Sequence, residues 1–377
     1  MNAILGVVFH FLGGFASGSF YIPYKKVKGW AWESYWIVGG LFSWLIVPPI
    51  AAWLTIPNFW EIISNAGSST IGFAFLFGLL WGIGGLTYGL GVRYLGVSLG
   101  SSIILGLCMV FGALIPAIYY QFNQAEGKDT IGMLTGTNWG LTILGGLAVC
   151  IIGIIICGRA GVMKEKELSA KGELQSTDPH ALNADATSSE SHLSGKDEYK
   201  FGLGLLVAII SGVLSACFNF GIEAAKPMAN VANDLWKKAN PGQGEFLYQN
   251  NVSYIVILWG GLLTNFIWCM ILNARNKTFN DYTNATSPIL RNIIFSALAG
   301  TTWFLQFFFY GMGESKLGNG PSSWILHMAF IILIANVWGL LLHEWKGVSK
   351  KTMTTIMIGI LVILTSVLIV GYGNSIR

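Results

Sequence analysis

Ten segments of the chain are each long and apolar enough to cross a membrane. A transmembrane helix needs about 20 mostly apolar residues, and in hydrocarbon every backbone polar group must find its partner within the segment. The pattern predicts an all-α integral membrane protein with ten transmembrane helices. The segments span roughly residues 4–24, 35–55, 70–92, 97–120, 138–158, 201–224, 251–273, 290–313, 321–343 and 352–373.

The charge content agrees with a membrane environment. Only 11% of the 377 residues are charged, whereas soluble domains carry about 25%. The N-terminus has no basic region and no small-residue cleavage site, so we expect it to be kept as the first helix. The five cysteines lie inside apolar segments without metal or redox spacing, and we interpret them as packing residues.

One connection differs from the others. Residues 159–200 are polar, rich in Ser, Asp, Glu and Lys, and almost free of aromatic residues, which predicts a flexible linker. The linker separates two sets of five helices, residues 1–158 and 201–377. Most of the 22 Lys and Arg residues fall on the side of the membrane that holds the linker. The positive-inside rule therefore predicts a cytoplasmic linker and two periplasmic termini.

The two halves contain similar segments. YGLGVRYLG at residues 88–96 and YGMGESKLG at residues 310–318 share Tyr, Gly, Gly, Leu and Gly at one constant offset. Because five helices is an odd number, the second half must enter the membrane upside down relative to the first. The pattern predicts two inverted five-helix repeats, which is the plan of many secondary transporters.

Several familiar site motifs are absent from the sequence. It contains no GxxxxGK[ST] nucleotide loop, no HExxH zinc motif, no GxSxG in a hydrolase context and no basic module for nucleic acid. We therefore expect neither an ATP-driven pump nor an enzyme, and no cofactor or metal. An intramembrane enzyme stays open as an alternative, because such a site needs only a few buried ionisable groups.

Ionisable residues inside apolar segments are costly and suggest function. His10, His327 and Glu223 are the candidates for carrying a proton. The plainer interpretation is that Glu223 pairs with Lys226, three residues further on the same helix face. We expect Glu314 to lie in interfacial water.

Uncharged polar and aromatic residues suit a neutral solute. Three amides lie within apolar segments: Asn219, Asn265 and Gln306. Candidate aromatic walls are Trp81, Trp303 and Trp324. Because solutes bind near the midplane in inverted-repeat transporters, we expect Gln306 and Asn219 to face one central cavity. His10 and His327 should lie on the outer side of that cavity.

Long segments in both halves resemble the bacterial L-rhamnose–proton symporter family of the drug/metabolite transporter superfamily. The resemblance implies ten helices, an inner-membrane location and proton-coupled uptake of L-rhamnose or a related methylpentose. The resemblance alone does not assign a role to any individual residue. The segments are FHFLGGFASGSFYIPYKKVKGWAWESYWIVGGLFSW (9–44), LFGLLWGIGGLTYGLGVRYLGVSLG (76–100), EAAKPM (223–228), WFLQFFFYGMG (303–313) and SSWILHMAF (322–330).

Departures from the family pattern keep other functions open. The linker is longer than the pattern leads us to expect, Glu223 replaces a neutral amide, and residues 314–321 lack the family's His and Arg. One alternative is a transporter of another sugar or metabolite, coupled to sodium or working as an exporter. Another is a membrane sensor that binds without transport. The expected partners are a small neutral sugar, a proton or alternatively sodium, and the lipid bilayer, and not nucleic acid.

Overall fold

A computed structural model describes residues 2–125, 127–170, 201–284 and 286–377. Within these residues, ten helices are long and apolar enough to span a membrane, which confirms the predicted fold class. The spans are Ala3–Tyr24, Trp32–Thr55, Ser68–Leu95, Val97–Phe122, Asn138–Ala170, Phe201–Ala224, Asn251–Asn276, Ile289–Leu317, Gly320–Leu341 and Lys350–Ser375.

The first two spans are interrupted. The first consists of α1 (Asn2–Ser19) and the short α2 (Tyr21–Tyr24). The second consists of α3 (Trp32–Gly40), a π-helical stretch (Leu41–Ile46) and α4 (Val47–Thr55). Two prolines in the first turn of α4 lack N–H donors, so the regular helical ladder cannot continue through them and the backbone widens before α4.

The remaining spans are single helices, joined by short ones. These spans are α6 (Ser68–Leu95), α7 (Val97–Phe122), α9 (Asn138–Ala170), α10 (Phe201–Ala224), α12 (Asn251–Asn276), α13 (Ile289–Leu317), α14 (Gly320–Leu341) and α15 (Lys350–Ser375). The short connecting helices are α5 (Phe59–Ser64), α8 (Ile131–Gly136) and the amphipathic α11 (Lys226–Ala239), and Thr278–Tyr282 forms a 3₁₀ turn.

Helices of the two halves pack against each other. Helix α1 packs on α13 and α14, whereas α10 packs on α6 and α7. Helix α9 packs along α15, and α12 along α6. The core between the halves is therefore built mainly from α1, α6, α7, α10, α13 and α14.

Successive spans run in opposite directions, so their ends form two faces. The termini face holds both chain ends and the connections that contain α5, α8 and α11. The linker face holds the opposite helix ends, including Ala170 and Phe201. Side-chain contacts hold each face together: Arg377 bonds Asp129 at 2.7 Å on the termini face, and Asp281 accepts the Ala31 N–H at 2.7 Å on the linker face.

Helix α9 runs further than the sequence indicated. It continues to Ala170, so the prediction that a linker begins at residue 159 is wrong. The continuation is held in place because Glu165 accepts bonds from Ser98, and Glu167 accepts bonds from Ser349. The rest of the predicted linker, residues 171–200, lies outside the described residues. The division into two repeats stays a prediction.

Candidate functional site

A small cavity lies between the two halves, in the middle of the bundle. Its volume is about 70 Å³, and it is lined by residues of α1, α6, α7, α10, α13 and α14. Four of the residues that we predicted to bind substrate line it: Trp81, Trp303, Gln306 and Trp324. We call it the central cavity.

Aromatic rings form much of the cavity wall. Trp303 lies against Phe20 with ring centroids 4.4 Å apart. Trp81 lies 5.0 Å from Phe218, which in turn stacks on Phe307 at 4.3 Å. Because these rings pack against one another, much of the wall is apolar, as in many small-molecule sites.

A few polar groups project from this wall without protein partners. The Nε1 of Trp303 and the hydroxyl of Ser215 are buried and have no hydrogen-bond partner among the described residues. The same holds for Nδ1 of His327. Gln306 is 6% exposed and also lines the cavity. Buried polar groups normally find partners, so these groups are suited to binding a polar ligand.

The Trp324 indole is held more firmly than that of Trp303. Its Nε1 donates to the Cys108 carbonyl at 3.1 Å, and its ring lies 6.0 Å from Tyr310. Trp324 therefore contributes a fixed ring face to the cavity and no spare donor.

The two histidines lie close together beside the cavity. Their ring centroids are 6.0 Å apart, and Tyr310 contacts both, at 5.4 Å from His10 and 5.1 Å from His327. Both rings are buried, and His327 lines the cavity. Small residues make this close packing possible, because a Cβ on Gly313 would lie 2.7 Å from the His10 ring and one on Gly13 would lie 3.1 Å from the His327 ring.

Asn219 lies behind the cavity wall and is not among the lining residues. Its Nδ2 donates to the Gly112 carbonyl at 2.7 Å, and its Oδ1 accepts from the Tyr310 hydroxyl at 3.3 Å. It therefore fixes Tyr310 against α7. Asn265 has a similar structural role, because its Oδ1 accepts from Trp36 at 3.1 Å.

The expected Glu223–Lys226 pair does not form. Glu223 pairs with Lys128 and accepts a bond from Tyr120 at 2.8 Å. Lys226 pairs with Glu314 at 2.9 Å. Helix α10 ends at Ala224 and α11 begins at Lys226, so the two residues do not share one helix face.

Glu314 does not lie in interfacial water as expected, since it is only 7% exposed. Burial by itself would lower the pKa of Lys226, but the carboxylates of Glu314 and Glu223 outweigh burial and raise that pKa above its usual value. Lys226 therefore stays charged.

Sequence reasoning missed several lining residues. Tyr88 and Tyr310 both line the cavity, and they occupy the first position of the two similar segments. Their matched positions were a usable signal. Ser17 and Ser215 also line it, but isolated serines on apolar helices give no sequence signal.

Comparison with known proteins identifies the family. The profile of the L-rhamnose-proton symport protein family matches residues 1–184 and 186–376. The L-rhamnose-proton symporter of Yersinia pestis (strain Pestoides F) is 36% identical over 377 residues, covering 99% of this chain and 98% of that protein. That of Cronobacter sakazakii (strain ATCC BAA-894) is 36% identical over 380 residues, covering 99% of each. The chain belongs to the L-rhamnose-proton symport protein family. It is a multi-pass membrane protein of a transporter family, not an enzyme.

A second cavity in this family member has a different character. It measures about 520 Å³, lies between α7 and α9, and is lined almost wholly by aliphatic residues, with Arg159 as its one charged lining residue. It presents too few polar groups to hold a sugar. The central cavity, with its aromatic walls and spare hydrogen-bonding groups, is the better candidate for the transport site.

Proposed function

We propose that this protein carries L-rhamnose, together with a proton, across the inner membrane into the cell. The observation that carries the proposal is the central cavity: an aromatic, uncharged chamber next to two buried histidines in a member of the L-rhamnose-proton symport protein family. A neutral sugar needs hydrogen bonds to its hydroxyls and apolar contact with its ring and methyl group, and the chamber offers both.

We propose that Gln306, Ser215 and Trp303 bind the sugar hydroxyls. Gln306 supplies both donors and an acceptor, whereas the Trp303 indole supplies one donor. Trp81 and Trp324 would then cover the apolar faces of the sugar. Asn219 contributes indirectly in this arrangement, because it holds Tyr310 in place.

His327 and His10 are the proposed proton site. An imidazole can take up and release a proton, and His327 contacts the cavity in which the sugar would bind. Uphill uptake of a neutral sugar needs a coupled ion, and one charge moving through 100 mV supplies about 2.3 kcal/mol. The distribution of Lys and Arg supports a periplasmic termini face. Protons and sugar would then arrive from that face.

The described conformation is closed to the sugar. The cavity of about 70 Å³ is well below the roughly 300–1,000 Å³ of typical ligand pockets. Its lining on α13 ends at Tyr310, and the paired Glu314 and Lys226 lie beyond, towards the termini face. Admission of a sugar from that face would then need the Glu314–Lys226 pair to separate.

The proposal is tested with the purified protein in liposomes, by following labelled L-rhamnose and external pH together. Addition of rhamnose should alkalinise the medium, and an inward proton gradient should drive accumulation. Trp303→Phe keeps an aromatic ring, although a smaller one, and removes the indole N–H donor, so we expect KM to rise about 3- to 10-fold. Trp44→Phe is the matched control, because the Trp44 Nε1 also lacks a described partner but Trp44 is not a lining residue.

The same assay separates sugar binding from proton coupling. In His327→Gln, rhamnose exchange between equal concentrations should persist while accumulation driven by the proton gradient is lost. Accumulation driven only by sodium, or stronger uptake of another sugar, would overturn the proposed substrate pair. Equal KM values for the two tryptophan variants would remove Trp303 from the sugar site.

A further inference from the structure

One buried carboxylate joins three structural elements at the termini face. Glu314 lies near the end of α13 and is 7% exposed. Its Oε1 accepts a bond from Lys226 at the start of α11, at 2.9 Å. Its Oε2 accepts one from Asn250, which precedes α12, at 2.5 Å. Separation of α11, α12 and α13 at this face must break these bonds.

The surroundings of Glu314 contain further charged and titratable groups. A second pair, Lys128 and Glu223, joins the connection after α7 to the end of α10 in the same layer. The other titratable groups that interact electrostatically with Glu314 or with its partner Lys226 are Lys128, Glu223, Glu245, Tyr120, Tyr254 and Tyr310. In this set the carboxylate of Glu314 is the one in direct contact with Lys226.

Glu314 also lies between the termini face and the proposed proton site. It is one helical turn beyond Tyr310 on α13, and Tyr310 lines the cavity and contacts both histidines. Its neighbour Gly313 packs against the His10 ring. A proton that approaches from the termini face reaches Glu314 before it reaches the histidines.

The protonation state of Glu314 changes the cost of opening. A buried carboxylate left without its partner is strongly unfavourable, whereas a neutral carboxylic acid is much less so. When a proton from water binds a carboxylate oxygen of Glu314, the ion pair becomes a weaker neutral–charged contact. Lys226 keeps its own proton and, at the start of a surface helix, can turn to water.

We propose that Glu314 is the proton-responsive latch of the termini face: binding of a proton to its carboxylate releases Lys226 and allows the central cavity to open towards that face. Loss of the proton restores the pair and closes the face, so opening is linked to proton movement. The inference rests on the proposed symport function and adds a residue that acts on access rather than on sugar binding.

The test measures access to the cavity without relying on transport. Cys108 lines the central cavity, so a charged, membrane-impermeant thiol reagent should modify it only when the cavity is open to the side of addition. Modification is quantified by mass spectrometry of the peptides, in the full-length protein, with right-side-out and inside-out vesicles. Glu314→Gln imitates the protonated side chain and should increase labelling from the termini side by about tenfold or more at neutral pH.

The pH response identifies the latch. Thiol reactivity itself falls as pH falls, so the informative quantity is the labelling rate of Glu314→Gln divided by that of the wild type. This ratio should approach one towards acid pH, because the wild-type carboxylate then carries a proton as well. A ratio near one at every pH would overturn the proposal.

Two further variants separate the effect of Glu314 from that of its charged neighbours. Glu223→Gln removes the neighbouring carboxylate, and an equal effect there would show that the layer responds to total charge and not to Glu314. Glu314→Gln combined with Lys226→Gln removes both charges, and it should keep high labelling even if the single variant folds poorly. If the wild type fails to transport rhamnose but the labelling ratio behaves as stated, the symport proposal fails while the latch stands.

Discussion

The two similar segments, residues 88–96 and 310–318, run from the central cavity to opposite faces of the protein and end in different surroundings. Each begins with a tyrosine that lines the central cavity, and each ends a long helix at a glycine with positive φ, 84° at Gly96 and 62° at Gly318. The first segment ends at the linker face and the second at the termini face. Both segments therefore end at a positive-φ glycine, but the side chains around the two glycines differ.

The largest difference lies at one matched position. Val92 in the first segment corresponds to Glu314 in the second. Val92 is buried in a small apolar cluster with Leu95, Ile104 and Ala208, next to Tyr88. Glu314 is buried in ion and hydrogen-bond contacts. Apolar packing does not respond to pH, whereas a paired carboxylate does, so of these two matched positions only Glu314 can respond to protons.

The helix pairings agree with a two-fold relation between the halves. Helix α1 packs on α13 and α14, and its counterpart α10 packs on α6 and α7. A rotation that exchanges the halves exchanges these two sets of contacts. This correspondence supports the proposed inverted repeat, in which the two similar segments are equivalent gates that have diverged.

Placing a charge at the apolar end should have the largest effect. Val92→Glu places a carboxylate among buried apolar side chains, and an unpaired buried charge costs about 3–5 kcal/mol. We expect the apparent Tm in detergent to fall by roughly 5–15 °C. Val92→Gln, which is neutral and of equal size, should be clearly milder. Equal Tm values for the two variants would mean that the Val92 position tolerates a buried charge. The proposed difference between the Val92 and Glu314 positions would then be wrong.

The two terminal glycines should differ in their tolerance of substitution. Gly96 has φ 84° and ψ 156°, a region that is essentially restricted to glycine, and Glu165 lies 3.2 Å from the position of an added Cβ. Gly318 has φ 62° and ψ 18°, an ordinary left-handed conformation. Gly96→Ala should therefore cost about 1–3 kcal/mol, and Gly318→Ala about 1 kcal/mol.

Asparagine separates the two glycine sites further. Asn adopts the left-handed region more readily than other residues, so Gly318→Asn should unfold close to the wild-type temperature while Gly96→Asn does not. Thermal unfolding followed by tryptophan fluorescence measures both. A larger fall in unfolding temperature for Gly318→Asn than for Gly96→Asn would contradict the conclusion that the Gly96 position is the one restricted to glycine.

Much of the fold can be predicted from the sequence, because an apolar segment in hydrocarbon has few alternatives to forming a helix. Ten apolar segments become ten spanning helices, and the resemblance to a family agrees with the profile match. The contacts at helix ends could not be predicted in the same way. Pro227 cannot donate to the Glu223 carbonyl and would clash with it in a continued helix, so α10 stops and the expected Glu223–Lys226 pair is lost.

The candidate site was predictable in part, for a similar reason. Trp81, Trp303, Gln306 and Trp324 line the cavity, and bulky or polar groups in apolar helices gave the signal. Sequence could not reveal which face of α10 points inward. Ser215 and Phe218 line the cavity, while Asn219, one helical turn beyond Ser215, is instead bonded to Gly112 and Tyr310.

Tyr310, the first residue of the second segment, provides the test with the smallest expected effect on stability. Tyr310→Phe removes the hydroxyl that donates to Asn219 at 3.3 Å, in a buried site. We expect the free energy of unfolding to fall by about 1 kcal/mol, because the Asn219 oxygen is left without this donor.

Tyr254→Phe is the matched control. The Tyr254 hydroxyl is equally buried but has no partner among the described residues, so its removal should be neutral or slightly stabilising. If the two variants unfold at the same temperature, the Tyr310–Asn219 bond does not hold the cavity wall in place. If only Tyr310→Phe is destabilised, the wall between the sugar site and the latch depends on this bond, and the same variant should also weaken rhamnose uptake.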